Sequence, residues 1–488
     1  MRFTHYLFIL FITLSCTDTP LVPEDTILAR VGGKIITIQD FIRRSEYTIR
    51  PNYCRRDNYI HKKIILNSLI AEKLTSLEFE KQNSGFKSSD LEQYFNGRKE
   101  QAMRQLLYFE EYFSKVNISS DAVQKNLKMA SRRVNIQFLN LPDTSIVRKV
   151  QELDYQGIPF DSIHSAIWGG KAPTKEIGWF DREQDYLHDA IFEEKIRKGD
   201  LLGPFHTDED TYVIIKINGW IESVPITDSE QNQLWKDIKE KMTESKAKKE
   251  YLAWVQDLMS NKKINFNSNI FYSYAEHAAD YFFKMDSAKE EMFNQVLWDD
   301  PEVDNKSFSY KENKLNGNEI IFEYAGTSWS IEKLNQQLLS HPYVFRKRKM
   351  NKNEFPEQLR YAIADLLRDV EITRQCYYKG FDSRWNVKVY EEMWKDVYKS
   401  KTYLASIRKD NKQIKNQENW IEFMNPRIDS LQNLYSDQIE INMNAFEKIR
   451  LTQTDMMVIQ RGVPYPIMVP SFPVLTSDNK LNYGKSFN

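Results

Sequence analysis

Cysteine, histidine and net charge are all scarce in this chain, and each scarcity removes a class of function. Only three cysteines occur among 488 residues; without a CxxC or a Cys/His spacing they support neither a disulfide framework nor a zinc site. The sequence leaves open whether Cys54 and Cys376 pair. A formal net charge of −1 gives no electrostatic case for nucleic acid or for a polybasic membrane surface. No glycine-rich loop ends in Lys-Ser or Lys-Thr, so Gly32-Gly33-Lys34 and Gly169-Gly170-Lys171 read as turns and no nucleotide is expected. No Ser/His/Asp or HExxH constellation stands out, which leaves a hydrolase or metalloenzyme unsupported, with no metal and no cofactor expected. Beyond the first residues no apolar run reaches the length of a membrane span.

What is present is aromatic and apolar in moderation. Hydrophobic residues make up 41% and aromatic ones 13%, enough for cores in a chain whose length predicts two to four domains. At the start, Arg2 precedes the run Leu7 to Leu14, which ends at Ser15-Cys16. Such a run is too short to cross a bilayer but matches the apolar segment of an export signal. A small residue followed by cysteine resembles a lipoprotein signal, so 1–16 is expected to be removed and Cys16 to carry lipid. Thr13 stands where such signals usually place Leu. Residues 17–27 read as a tether.

Further along, Ala29 to Ile38 reads as a strand and turn, and Thr37 can cap a helix that begins near Gln39. Apolar residues at Ile60, Ile64, Leu69, Ile70, Leu74 and Leu77 mark an amphipathic helix from Tyr59 to Lys81. Helices are also expected from Asp90 to Phe113, from Asp121, from Thr144 to Tyr155 and from Asp228 to Met259. Residues 132–220 change character, with strands at Val134–Leu139 and Tyr212–Ile217, so a small α+β unit interrupts a mostly helical body. The later half repeats the body's order. Gly33 precedes Ile38 and Phe41 as Gly326 precedes Ile331 and Leu334. Gly85-Phe86 answers Gly380-Phe381, and Ile264-Asn265-Phe266-Asn267 answers Ile441-Asn442-Met443-Asn444. Four prolines between Arg461 and Leu475 forbid helix and favour an extended strap.

The opening at 29–41 resembles that of SurA, PrsA and related periplasmic foldases. The α+β unit resembles a parvulin (PpiC-type) peptidylprolyl isomerase domain through an ordered set of segments. They are Gly157-Ile158-Pro159-Phe160-Asp161-Ser162-Ile163, Ile177-Gly178-Trp179-Phe180, Ala190-Ile191-Phe192, Lys198 to Thr207, and Tyr212 to Ile217. The resemblance implies an α+β fold, a helical and duplicated chaperone body with an inserted βαααβαββ domain. Its expected parts are a signal at 1–16, a first helical domain at 17–130 and the parvulin-like domain at 131–221. A closing helix and strand follow at 222–272, then a second helical domain at 273–460 and a Pro-rich extended tail at 461–488. In the insert, Gly178 and Gly199 are expected to permit turns, and Phe160, Phe180 and Phe192 to pack the sheet against its helices.

Active parvulins present two histidines on adjacent central strands. Here those positions fall on Asn135 and Val213, and a site without imidazoles is expected to bind more than it catalyses. Ile177, Trp179, Asp185, Leu187 and Tyr212 are the expected lining of a client-binding cleft, while His164, His188 and His206 read as surface residues. The function implied is an ATP-independent envelope chaperone for unfolded exported proteins, outer-membrane proteins among them, lipid-anchored at the periplasmic face of the outer membrane. An active isomerase and a structural lipoprotein with one fixed partner are the alternatives.

Overall fold

The structure is a computed structural model that describes residues 27–83, 89–181, 183–207, 211–223, 225–295, 315–347, 350–414, 416–451 and 468–487. Cys16, the segments 1–16 and 17–26, Gly85-Phe86 and the first part of the Pro-rich tail lie outside the described residues. The chain opens with the hairpin β1 (Ile27–Val31) and β2 (Lys34–Thr37), then α1 (Ile38–Glu46), α2 (Tyr59–Gln82) and α3 (Ser89–Glu111). Next come α4 (Ser120–Ala130), β3 (Arg132–Leu141), α5 (Thr144–Tyr155), α6 (Phe160–Trp168) and β4 (Thr174–Gly178). They are followed by α7 (Asp185–Ile191), β5 (Leu201–His206), β6 (Tyr212–Glu222) and α8 (Asp228–Met259). After β7 (Ile264–Phe266) and α9 (Ser268–Gln295), a second hairpin forms from β8 (Ile320–Tyr324) and β9 (Thr327–Ser330). Helices α10 (Ile331–Ser340), α11 (Phe355–Tyr378), α12 (Trp385–Asp410) and α13 (Gln417–Leu434) precede β10 (Ile439–Ile441), α14 (Met443–Lys448) and β11 (Lys485–Ser486). The fold is mixed α+β, with a helical body and several small sheets.

Among the described residues two compact units result: 27–107 with 255–451 and 468–487, and Tyr108–Trp254. In the first, each hairpin is followed by a capped helix. Thr37 accepts from the Asp40 N–H in a capping box, and Ser330 accepts from the Lys333 N–H, satisfying donors that a helix start leaves free. The hairpins are completed crosswise. Strand β10 pairs antiparallel with β1, setting Ala29 opposite Ile441, Arg30 opposite Glu440 and Val31 opposite Ile439. Strand β7 pairs with β8, setting Phe266 opposite Phe322, Asn265 opposite Glu323 and Ile264 opposite Tyr324.

The flanking hydrogen bonds also correspond. Asn442 donates its N–H to the Leu28 carbonyl at 2.9 Å and Gly32 to that of Gln438 at 2.8 Å; Asn267 donates to Ile321 at 3.0 Å and Ala325 to Lys263 at 3.4 Å. Both turns need a left-handed residue, Gly32 at φ +60° and Ala325 at +47°. Thus the strand from the segment expected to close the first helical domain completes the second hairpin, and the reverse.

Helix α2 runs through the middle of this unit, buried along most of its length. Its apolar side chains join β1, α1, Ile439, Ile441 and Phe446 in one core. A second core gathers α9, β8, β9, α10 and α11 around Phe271, Phe322, Trp329 and Phe355. Cys54 and Cys376 are buried free thiols. The described part of the tail lies on the body: Phe472, Leu475 and Tyr483 are buried, and Asn67 Nδ2 donates to the carbonyls of Asp478 and Lys480 at 2.7 and 3.0 Å.

In the second unit the sheet order is β4-β3-β6-β5. One face packs on α5 and α6 through Leu139, Leu141, Ile214, Val147, Val150, Phe160 and Ile163. The other packs on α4, α7 and α8 through Val134, Ile136, Ile215, Ile217, Val123, Ile191 and Ile238. Two helices, not the expected three, lie between β3 and β4. Gly169 and Gly170 adopt φ of +76° and +70° and Pro173 follows, so no further helix fits between α6 and β4. Of the two expected glycine turns, Gly199 has φ +94° but Gly178 lies outside the left-handed region. Gly203 is the more constrained position, with φ +104° and the Val213 carbonyl only 2.7 Å from where a Cβ would stand.

Helix α2 is tied to α12 by buried ions. Asp396, 1% exposed, accepts from Lys34 at 2.6 Å, Lys73 at 2.8 Å and the Ser76 hydroxyl at 2.9 Å. Burial pushes its carboxyl up, but Lys73 and Lys34 outweigh that and hold it below its ordinary value of 3.8. Its contribution to stability is therefore whole above that value and fades as pH falls through the depressed one. Asp396→Asn, which strands Lys73 in the interior, is expected to lower the unfolding free energy by about 3–5 kcal/mol at neutral pH. Urea denaturation reads it, with the gap to wild type narrowing in acid and partly restored by adding Lys73→Met. A loss below about 1 kcal/mol would reduce the cluster to the standing of a surface pair.

Candidate functional site

The site is sought on the second unit, where the sequence singles out residues on two central strands. Strands β3 and β6 are adjacent, but Asn135 pairs with Gly219 while Val213 pairs with Asn140. Side chains alternate along a strand. Val134 and Ile136 both enter the core beneath α7 and α8, so Asn135 between them points to the α5/α6 face. Val213 packs on the opposite face. The two positions are not brought together, because Asn135 and Val213 lie on opposite faces of the sheet. The Asn135 amide oxygen accepts from Asn218 at 2.8 Å, and on the same face Gln137 donates to Asp161 at 2.8 Å.

The expected cleft residues also divide. Ile177 and Trp179 are buried and Leu187 half-buried in the core beneath α7. Tyr212 joins the α5/α6 core instead, next to His206, whose ring lies 5.2 Å from its own. Asp185 begins α7, and its side chain lies outside the described residues. His164 is half-buried, its Nδ1 3.3 Å from the Gly170 carbonyl.

His188 is not the surface residue expected. It is half-buried on α7, between the rings of Trp179 at 5.6 Å and Phe192 at 4.8 Å. Its Nε2 lies 2.8 Å from the Trp179 carbonyl and 3.0 Å from Lys241 Nζ. Lys241 donates to the same carbonyl and sits 4.7 Å over the Trp179 ring. Burial lowers the His188 pKa; the Trp179 carbonyl opposes this and Lys241 adds to it, leaving it below the ordinary 6.5.

Outside this cluster the surface is aromatic. Phe180, expected in the core, is 40% exposed and stands edge-on to Trp179 at 5.0 Å, because Trp179 occupies the inward position. Tyr186 is 39% exposed and rests on Phe205 at 5.5 Å. Tyr155, Ile158 and Trp168, at the ends of α5 and α6, are exposed as well. Such a surface can grip apolar side chains while staying wetted. Among the described residues no group of carboxylates, histidines and cysteines is arranged to hold a metal, and no helix is long and apolar enough to cross a membrane. The sequence reading missed Phe180, Tyr186 and Lys241 as a group. The pairing of Trp179-Phe180 with Tyr186-Leu187-His188 on either side of a turn was the available signal.

The helical body has its own concavity, a cavity of about 600 Å³ lined by Thr75 on α2, Tyr403 and Ile407 on α12, and Met424, Pro426 and Leu431 on α13.

No family model matches the chain, and no curated protein matches it. Among solved structures, the crystal structure of the foldase protein PrsA from Streptococcus pneumoniae is similar, with a TM-score of 0.21 and 14% identity. The alignment covers 45% of this chain and 91% of that one.

The His188 environment gives a direct spectroscopic expectation. Its imidazole resonances should titrate below the free value of about 6.5, and Lys241→Met should move the midpoint upward by removing a neighbouring positive charge. A midpoint at or above the free value, or one indifferent to Lys241→Met, would contradict the placement of His188 against Lys241.

Proposed function

We propose that the protein is an ATP-independent chaperone of the foldase type, which holds unfolded exported polypeptides in the cell envelope and whose isomerase site is degenerate. The observation that carries this reading is the pairing of exposed aromatic side chains on a four-stranded α+β module with strand positions that bear no imidazole. On the Val213 face, the neighbouring positions of β3 are Phe138 and Asn140, so paired imidazoles are absent from the central strands there. Turning a prolyl bond requires crossing about 18–20 kcal/mol, which a site lowers by gripping the ring and placing dipoles on the twisted amide. Val213 offers no side-chain hydrogen bond, and the Asn135 amide is already engaged. The ordered motifs at 157–163, 177–180, 190–192 and 198–207 support the module's kinship with parvulins. The matched ladders of the two hairpins support a duplicated helical body, with its two halves exchanged, as the holder.

In this reading Cys16 carries the lipid, which keeps the holder at the membrane surface where exported chains emerge, and the outer membrane's periplasmic face is the proposed site. Clients are bound by many weak apolar and backbone contacts and released by their own folding, without nucleotide.

Full-length protein is expected to suppress light scattering from a urea-diluted outer-membrane porin without nucleotide. The double variant Phe180→Ser, Tyr186→Ser should lose about half or more of that suppression, because two aromatic anchors are removed. In a protease-coupled prolyl peptide assay the rate should stay within about twofold of spontaneous exchange, which takes tens to hundreds of seconds. Unchanged scattering would overturn the holder reading. A marked acceleration abolished by His188→Ala would replace it with a working isomerase. Cys16→Ala should move the protein from the membrane fraction to the soluble one.

A further inference from the structure

The two sheets of the helical body correspond ladder by ladder, yet one has four strands in the order β11-β10-β1-β2 and the other three, β7-β8-β9. Strand β7 stands in its sheet where β10 stands in the other. On its outer edge β10 carries β11 in parallel, with Glu440 beside Lys485 and Ile441 beside Ser486, and Phe487 donates its N–H to the Ile441 carbonyl at 3.1 Å. Among the described residues no strand pairs with the outer edge of β7.

That edge is equipped to accept one. Alternate residues of an antiparallel strand turn their N–H and C=O away from the partner. The bonds from Asn267 to Ile321 and from Ala325 to Lys263 set the phase. Asn265 faces inward to Glu323, so Ile264 and Phe266 direct their backbone groups outward, as Ile439 and Ile441 do. Burial agrees: Ile439 and Ile441 are 0% and 3% exposed under the tail, whereas the equally apolar Ile264 and Phe266 are only half-buried. No proline, bulge or charged side chain within β7 blunts the edge, devices that folded proteins commonly use against strand addition.

We propose that the outer edge of β7 docks an extended polypeptide segment of another protein, added as a parallel strand in the register that β11 takes on β10. The kind of occupant is shown by the chain's own tail on the equivalent edge. That tail carries Pro470, Phe472, Pro473 and Tyr483, and the body grips it largely through its backbone. Arg44 donates to the Ser471 carbonyl at 2.7 Å, Tyr390 to that of Met468 at 2.6 Å, and Asn67 to those of Asp478 and Lys480. Backbone recognition tolerates many sequences, as strand addition does generally. The inference deepens the holder reading and rests on it for the source of the segment, an unfolded client, but not for the edge itself.

The test uses full-length protein carrying Asn265→Cys, since Asn265 is the counterpart of Glu440, which neighbours Lys485. The probe is a synthetic peptide of residues 468–487 with Lys485→Cys. Parallel neighbours about 4.8 Å apart lie within disulfide reach; Cys54 and Cys376 are buried, and Cys16→Ser removes the remaining thiol from the tested protein. A mixed disulfide at that position is expected, at least about tenfold above the yield from the same peptide with Ser477→Cys instead. Reduced, carboxymethylated α-lactalbumin, an unfolded chain without free thiols, should compete it away. Ile264→Pro, which removes one outward N–H, should weaken fluorescent-peptide binding about tenfold with the circular dichroism unchanged. Equal yields from the two peptides, or no mixed disulfide in a natively folded chain, would overturn the proposal. So would a photo-cross-link from position 265 to another part of the same chain, which would make the occupant internal. Porin aggregation separates the two readings: suppression without cross-linking removes the docking edge alone, and cross-linking without suppression removes the holder.

Discussion

The helical body depends on a backbone ladder between segments far apart in sequence, β1 against β10, and on its counterpart, β7 against β8. Neither hairpin can complete its sheet from its own half. The first core needs Ile439, Ile441 and Phe446 from the end of the chain, and the second needs Phe271, Tyr274 and Ala275 from the stretch after the inserted unit. Closing such long loops costs entropy that grows only logarithmically with length, so the distance in sequence is tolerable once the strands find their partners. The consequence is that 27–107, 255–451 and 468–487 form one compact unit, in which each half supplies the strand that the other lacks. The buried charges follow from the same exchange. Lys34 and Lys73 belong to the first half and Asp396 to the second, so an ion cluster that would be ruinous if unpaired is satisfied only when the halves are interleaved.

Local elements were legible from sequence because their signals are local. The helix at Thr144–Tyr155 and the strand starting at Tyr212 fall where periodicity puts them, and Thr37 caps the helix it was expected to cap. The glycine spacing also pointed to a repeated start, at Gly33 and Gly326, and the structure gives both starts the same ladder. The crosswise pairing was not legible. An apolar triplet such as Ile264-Asn265-Phe266 carries the alternation that makes it a strand but nothing that names its partner, and two nearly equivalent hairpins offer equivalent choices. The residues of the candidate site suffered from a different limit. Strand alternation has a period of two, so the position beside Ile136 and the one beside Phe138 share a face while Ile136 and Phe138 share the other. Asn135 and Val213, singled out on adjacent strands, therefore face opposite ways. His188 was misread for a third reason: its burial comes from Trp179 and Lys241, brought to it by a turn and by a helix far along the chain.

The module's physical character is that of a sheet clad on both sides. Helices α5 and α6 cover one face, and α4, α7 and α8 the other. What stays outside the cores is concentrated in rings on turns and helix ends: Phe180, Tyr186, Tyr155 and Trp168. A packed sheet with exposed apolar groups at its margin suits the proposed adhesion to irregular surfaces, because it demands no single geometry of what it binds. Chemistry on one amide asks for the opposite, a few dipoles fixed with respect to one bond. The polar groups available near the central strands, Asn135, Asn218, Gln137 and Asp161, are paired with one another on the α5/α6 side.

In the proposed reading, a holder without a nucleotide must bind weakly enough to let go, and two kinds of surface in this molecule would do so in complementary ways. Exposed rings contribute contacts of order 1 kcal/mol each, so a client segment can leave one ring at a time. Backbone contacts at a short sheet edge are comparably weak, since each net hydrogen bond gains only about 0.5–1.5 kcal/mol over water. Three residues of edge, as in β7, would therefore give the proposed guest a contact that is easily reversed yet indifferent to sequence. The chain's own tail makes the same contact permanent by adding what a passing client lacks: covalent attachment, and specific side-chain clamps from Arg44, Asn67 and Asn425. On the proposed docking, the difference between the strap and a transient guest would thus lie in the number of clamps around one type of backbone ladder, not in a different chemistry at the edge.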